Sequence, residues 1–112
     1  MTNQTFNYSE IYILKESVKY SKGSVVNKII KKTKAGNLTL FAFDEGQNLS
    51  EHTAPYDAMV HVIDGRARVI IDKKEYLLDE GSFIIMPADI PHALEAITEF
   101  KMLLVMIKKG EG

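Results

Sequence analysis

The 112-residue sequence contains no cysteine. Disulfides, thiolate catalysis, iron–sulfur clusters and cysteine-based zinc sites are therefore excluded. It also lacks an excess of either charge, because 14 Lys and Arg oppose 15 Asp and Glu. Without a basic field we expect no nucleic acid and no anionic membrane as partners. It has neither an apolar run of about 20 residues nor a charged and then apolar start, so the expected compartment is the cytoplasm.

What the chain does contain is an ordinary globular composition. Apolar residues make up 46% and charged residues 26% of it, which is typical of a folded protein and not of a disordered one. The length suits a single small domain with one core.

Short apolar segments separated by turn residues dominate the sequence. Turns such as Asp64-Gly65 and Asp79-Glu80-Gly81 recur at intervals of roughly 8 to 15 residues. This spacing predicts an all-β sandwich or barrel of antiparallel strands. The predicted strands are 25–31, 37–44, 58–64, 67–72, 75–78, 82–86 and 100–108.

The segment before the first strand has two interpretations. Ser9 could cap a helix that runs to Ser17, because Ile11, Leu14 and Val18 recur at about the helical interval. The run 11–14 is also continuously apolar, which suits an extended segment packed on the barrel surface. In either case the sequence predicts an N-terminal extension over residues 1–24 and a barrel over residues 25–112.

Two of the predicted strands are apolar on both faces. Residues 83–86 and 100–107 lack the polar alternation of a sheet with one solvated face. A second copy of the chain, packed sheet against sheet, would cover the extra face, which predicts an isologous homodimer. The alternative is that the N-terminal segment covers this face by itself.

Two stretches each place a histidine after a glycine turn. Gly46, His52 and Gly65 fall in the first stretch, and Gly81, Pro87 and His92 fall in the second. Their spacing resembles the two motifs of the cupins, G(X)5HXH(X)3,4E(X)6G and G(X)5PXG(X)2H(X)3N. The resemblance covers roughly residues 25–108 and implies a double-stranded β-helix, the jelly roll of a small RmlC-like cupin. Cupins of this size are commonly homodimers, which agrees with the apolar strands.

Four residues depart from these motifs. Ala54 and Ala58 stand where the family has its second histidine and its glutamate, and Asp89 and Ala96 replace a glycine and an asparagine. In metal-bearing cupins three histidines and the glutamate hold Mn, Fe, Ni, Cu or Zn. This chain keeps two of these four ligands, His52 and His92. A histidine pair without a carboxylate predicts weak metal binding or none.

Neighbouring polar residues do not complete the ligand set. His61 should face away from Ala58, because side chains alternate along a strand. Glu51, Asp57 and Glu95 lie one residue from the motif positions, so each would need a bulge to turn inward.

The two alanines leave room for a cavity inside the barrel. Apolar walls with few polar anchors describe a small-molecule pocket, unless large side chains fill the barrel completely. Pro87 and Pro91 should form a stiff corner that aims His92. The predicted pocket residues are His52, Ala54, Ala58, Val60, His92, Tyr56, Phe43 and Met102.

Three hypotheses of function follow. The first is a barrel that binds a small molecule and holds metal weakly or not at all, with both histidines bonded to backbone or water. The second is a metal-dependent dioxygenase or isomerase that uses His52 and His92 as ligands. The third is a metal-free epimerase or isomerase in which one of these histidines carries the proton.

Overall fold

The computed structural model describes residues 6–109 as two antiparallel sheets. The strands are β1 (Val25–Thr33), β2 (Gly36–Phe43), β3 (Asn48–His52), β4 (Tyr56–Asp64), β5 (Ala67–Ile71), β6 (Lys74–Leu78), β7 (Phe83–Met86), β8 (His92–Ala96) and β9 (Phe100–Lys108). One sheet has the order β1-β2-β9-β4-β7 and the other the order β3-β8-β5-β6. The predicted all-β jelly roll is confirmed.

Two strands were missed by the sequence analysis. β3 has the sequence NLSEH, with Leu49 as its only aliphatic residue, and β8 has the sequence HALEA. Neither has the run of large apolar residues by which the other strands were predicted. These are the strands that carry His52 and His92.

The predicted helix over residues 9–17 is wrong. The segment contains only a short 3-10 helix, Leu14–Glu16, and Ile13, which precedes it at the N-cap position, makes no side-chain capping bond. Ser9 lies in a turn with φ of 62°. No helix within residues 6–109 has the length and apolarity needed to span a membrane. The predicted extension 1–24 begins, and the predicted barrel 25–112 ends, outside the described residues.

The main core lies between the two sheets. The rings of Phe43 and Phe100 stack there with centroids 4.4 Å apart, and neither residue is exposed to solvent. Val60, Val62 and Val69 complete its centre. Burial of each such side chain contributes about 1.5–3 kcal/mol, so the two sheets are held face to face chiefly by apolar contact.

A second apolar cluster lies on the outer face of the five-stranded sheet. There the N-terminal segment places Phe6, Leu14 and Val18 over Leu40 and Ala42 of β2. The segment covers only part of this face, because Phe83, Ile85 and Ile107 remain about 60% exposed. Within residues 6–109, the N-terminal segment therefore does not cover this face by itself. The second copy of the chain remains a prediction.

Gly65 shows why a motif glycine is required at the turn after β4. Its φ is +77°, a backbone conformation that favours glycine. A Cβ atom at this position would lie 2.0 Å from the carbonyl oxygen of Glu99. Any side chain would therefore push β9 away from this turn.

A polar clamp fastens the N-terminal segment to the barrel. The Tyr20 hydroxyl donates a hydrogen bond of 2.6 Å to Asp64, and Lys15 Nζ lies 3.5 Å from the same carboxylate. The hydrogen bond from Tyr20 lowers the pKa of Asp64, and the charge of Lys15 lowers it further against the opposing effect of burial. The Lys101 ammonium lies over the Tyr20 ring and donates to the Lys15 carbonyl.

We expect Asp64→Asn to lower the free energy of unfolding by about 1–2 kcal/mol at pH 7. Because the folded-state pKa of Asp64 lies below its unfolded value, the carboxylate stabilises the protein above pH ~4 and this stabilisation is lost as the pH falls further. Urea unfolding at pH 7 and pH 3 measures both effects. Asp79→Asn is the control, since Asp79 forms an exposed pair with Arg66 and such pairs contribute little. Equal losses for Asp64→Asn at both pH values would contradict the clamp.

Candidate functional site

The site begins with the pairing of β3 and β8, which sets His52 directly opposite His92. The two imidazole rings meet edge to face, with centroids 4.4 Å apart and planes at 69°. His92 is only 4% exposed, whereas His52 is exposed at the open end of the barrel. The fold thus brings together two histidines that lie forty residues apart in the sequence.

A β-bulge in β3 turns His52 inward. Leu49 pairs with Leu94 and His52 pairs with His92, so three steps along β3 match two steps along β8. With regular alternation, a strand that points Leu49 inward would point Glu51 inward and His52 outward. The extra residue reverses this order. Glu51 remains exposed, and its carboxylate does not join the site.

The corner between β7 and β8 fixes His92. Asp89, at the position of a family glycine, has φ of 66° and so keeps a backbone conformation that glycine favours and aspartate tolerates. Its amide donates a hydrogen bond of 2.8 Å to the Ala54 carbonyl. The Ala88 amide donates to Asp57, at 2.9 Å. These bonds tie the corner to the loop that follows β3 and to the start of β4.

Both imidazole rings are held by the backbone two residues earlier. His52 Nδ1 lies 2.7 Å from the Ser50 carbonyl oxygen, and His92 Nδ1 lies 3.1 Å from that of Ile90. A carbonyl oxygen only accepts hydrogen bonds, so each Nδ1 carries the proton. Each Nε2 is left with a lone pair, and within residues 6–109 neither Nε2 has a hydrogen-bond partner.

The rings line a cavity of about 50 Å³ inside the barrel. Its other walls are apolar or thioether side chains, and no Lys, Arg, Asp or Glu among residues 6–109 lines it. The lining consists of Leu49, His52, Ala54, Ala58, Met86, His92, Leu94, Met102, Leu104 and Met106. The two histidines are therefore the polar points of a neutral cavity.

Five of the eight predicted pocket residues line this cavity: His52, Ala54, Ala58, His92 and Met102. Phe43 and Val60 lie instead in the fully buried core. Tyr56 begins β4 opposite Lys108 and is not part of the lining. A ligand contact at any of these residues remains a prediction.

The sequence analysis missed five lining residues. Leu49 and Leu94 were missed with the strands that carry them. Met86 and Met106 lie in register with Ala58 on the two strands that flank β4, a neighbourhood that depends on strand order. Leu104 is the inward neighbour of Met102 and Met106 on β9, which strand parity could have indicated.

His61 lies on the opposite face of β4, as strand parity predicts. Ala58, Val60 and Val62 are buried, while Met59 and His61 are half-buried on the outer face. His61 pairs with Phe83 and Leu103 there. It therefore contributes nothing to the cavity.

Comparison with known proteins agrees with this geometry. The family model for the cupin domain matches residues 39–108. The chain belongs to the cupin family. This confirms the resemblance of the two motif halves. No protein of curated function matches the sequence.

Two of the solved cupin-like structures are substantially similar in sequence. A conserved protein of unknown function from Streptococcus pyogenes is 34% identical, with TM-score 0.88, over 94% of this chain and 92% of that one. A cupin 2 conserved barrel domain protein from Leptotrichia buccalis is 40% identical, with TM-score 0.84, over 87% of this chain and 47% of that one. A cupin superfamily protein from Desulfitobacterium hafniense shares the fold, with TM-score 0.87. It is 20% identical, over 94% of this chain and 96% of that one.

Burial lowers the pKa of His92, and the neighbouring His52 adds to this effect, against the hydrogen bond to Ile90. His92 is therefore neutral at pH 7. Because the pKa of His92 is lower in the folded than in the unfolded chain, the unfolded chain takes up a proton first as the pH falls. The free energy of unfolding therefore decreases as the pH falls below about 6.5.

We expect the His92 ring to titrate below pH 6.5 in an NMR titration and to be in the Nδ1–H form at pH 7.5. The free energy of unfolding of the wild type should be lower at pH 5.5 than at pH 7.5. The difference should be smaller in His92→Gln, because that variant lacks the titrating group. A His92 midpoint at or above 6.5, or an Nε2–H tautomer, would contradict this description.

Proposed function

We propose that this cupin is a small-molecule-binding barrel whose ligand places a hydrogen-bond-donating head group between His52 and His92. The observation that supports the proposal is the cavity itself, with two free imidazole nitrogens in otherwise uncharged walls. A neutral imidazole whose Nδ1 already donates to a carbonyl offers an acceptor at Nε2. Hydroxyl, amine and amide groups supply the matching donor.

The charge and size of the cavity narrow the ligand class. A carboxylate or phosphate would find no Lys or Arg among the described residues that line the cavity, and burial of an unpaired charge is costly. A volume of about 50 Å³ is far below the roughly 300–1,000 Å³ of a drug-sized pocket. Only the head group therefore enters, and the rest of the ligand lies at the mouth beside exposed His52.

The divalent metals of the family do not fit these residues. Within residues 6–109, no three His, Cys, Asp or Glu side chains come together in a group that could hold a metal ion. Mn²⁺, Fe²⁺ and Zn²⁺ sites in proteins are generally built from three or more such ligands, often with a carboxylate that offsets the charge. Two histidines without an anion favour ligand binding over a dioxygenase or isomerase that depends on such a metal.

A thermal-shift screen of metal-free protein against polyols, amines and amides tests the proposal, because a ligand selective for the folded state raises Tm. We expect a hit with wild-type protein and none with Ala54→Leu, whose larger side chain fills the cavity. Ala35→Leu is the control, since Ala35 is exposed in the β1–β2 turn and should leave the shift unchanged. A hit that persists in Ala54→Leu would place the ligand elsewhere, and no hit in the panel would overturn the proposed ligand class.

We further propose that two copies of the chain pair through the outer face of the five-stranded sheet. The N-terminal segment raises one part of this face and exposes Ile11 and Ile13, whereas the other part is bare around Phe83, Ile85 and Ile107. A two-fold axis lying in the plane of the face would set the raised part of each copy over the bare part of the other, as an isologous interface requires.

The available apolar area suits such a pair. The large exposed residues of the segment and the bare part are Tyr8, Ile11, Tyr12, Ile13, Phe83, Ile85 and Ile107. A fully exposed side chain of this size has about 150–200 Å² of surface. At the exposed fractions observed here, the seven residues together present roughly 700–900 Å² of surface per copy. A standard interface buries about 800 Å² per partner. A second copy is therefore the occupant that we assign to this face.

Sedimentation equilibrium should give wild-type protein a mass twice the 12.6 kDa of the chain. Ile85→Lys should reduce the mass to that of one chain, because a lysine would bury its charge in the interface. Ile11→Lys should do the same, and because Ile11 is 98% exposed it leaves the monomer fold intact. Leu77→Lys is the matched control: Leu77 is 59% exposed, like Ile85 at 58%, but lies on β6 of the other sheet. A monomeric wild type, or an unchanged dimer in Ile85→Lys and Ile11→Lys, would overturn this interface.

A further inference from the structure

Three methionines line the same cavity as the histidine pair. They are Met86, Met102 and Met106. Ala58, at the position of the family glutamate, pairs with Met86 on one side and with Met106 on the other. Thioethers therefore flank the place from which the carboxylate is missing.

The potential donors of this cavity are neutral and soft or borderline. Two imidazole nitrogens and up to three thioether sulfurs are present, while no carboxylate from the described part of the chain, residues 6–109, belongs to the lining. Thioether ligands select Cu(I), and imidazole also suits copper, whereas Mg²⁺, Ca²⁺ and Mn²⁺ prefer oxygen. A monovalent ion also needs less neutralising charge than a divalent one. The same feature that disfavours the usual cupin metals therefore favours this ion.

We propose that His52, His92 and the methionines of the cavity form a Cu(I) site. The proposal uses the cavity of the proposed function but assigns it a different occupant, so either can stand without the other. Cu(I) would bind to the two Nε2 atoms, and one or more of the thioether sulfurs would complete its coordination.

The surroundings of the donors suit a metal site. Each histidine is held through Nδ1 by a backbone carbonyl, the kind of outer-shell bond that fixes the ring and leaves Nε2 free for the metal. Met86 and Met102 are almost completely buried, as is His92. The cavity of about 50 Å³ is large enough for an ion and a small additional ligand, since roughly 10–15 Å³ of such space holds one water.

The chain offers a matched control among its own methionines. Met59 lies on β4 next to Ala58 but points to the outer face, where it pairs with Ile85 and Val105. Replacement of methionine by leucine keeps the volume approximately and is well tolerated in cores. Met59→Leu therefore removes a thioether from the protein without touching the cavity.

Competition against bicinchoninate under argon, with Cu(I) supplied as its acetonitrile complex, measures the affinity. We expect one Cu(I) per chain, bound at least about a hundredfold more tightly than Zn(II) or Mn(II). The double variant Met86→Leu, Met106→Leu should weaken Cu(I) binding about tenfold or more, Met59→Leu should leave it unchanged, and His52→Ala, His92→Ala should abolish it. X-ray absorption of the loaded protein should show sulfur as well as nitrogen neighbours.

Several results would overturn the site. If the His52→Ala, His92→Ala variant still binds one Cu(I) per chain, copper binds elsewhere. If the Met86→Leu, Met106→Leu variant binds Cu(I) with unchanged affinity and X-ray absorption shows only nitrogen neighbours, the thioethers are not ligands. Circular dichroism of each variant establishes that it is folded. If the protein does not bind Cu(I) but still shows a ligand-induced rise in Tm that Ala54→Leu abolishes, the Cu(I) site is overturned and the proposed function stands. If the protein binds Cu(I) but no small molecule in the panel raises its Tm, the proposed function is overturned and the Cu(I) site stands.

Discussion

The pairing of β3 with β8 is the constraint on which the site depends. It places His52 opposite His92, and the bulge in β3 allows both Leu49 and His52 to face the barrel interior. Without that extra residue the strand would present Glu51 to the cavity and His52 to solvent. One irregular step in one short strand therefore decides whether the interior contains a carboxylate or an imidazole.

The neutrality of the cavity follows from this arrangement. Alanine occupies two positions at which cupin metal sites have ligands, and the carboxylates of Glu51 and Asp57 are turned outward, with Asp57 accepting a hydrogen bond from the β7–β8 corner. The pKa of His92 is lowered chiefly by burial, so His92 does not add a charge at pH 7. For the occupants that we propose, size, softness and hydrogen bonding would therefore matter more than charge.

The outer face of the five-stranded sheet imposes a second constraint. β9 lies at the centre of this sheet and is apolar on both sides, so one side packs in the core and the other needs a cover. The N-terminal segment supplies part of that cover, and the clamp of Tyr20 and Asp64 holds it in place. The same extension thus packs on the barrel of its own chain and shapes the surface that we propose as the dimer interface.

The sequence by itself determined the fold class, because glycine turns and alternating apolar residues are local properties of the chain. It also indicated which two histidines the fold brings together at the cavity, since the motif spacing survives the loss of other motif residues. That spacing is carried by Gly46, His52, Gly65, Gly81, Pro87 and His92. It could not predict β3 and β8, whose few apolar residues become a strand only through pairing. The methionines around Ala58 and the inward turn of His52 were decided by strand order and by a bulge. Both depend on contacts between residues far apart in the chain, which only the tertiary structure sets.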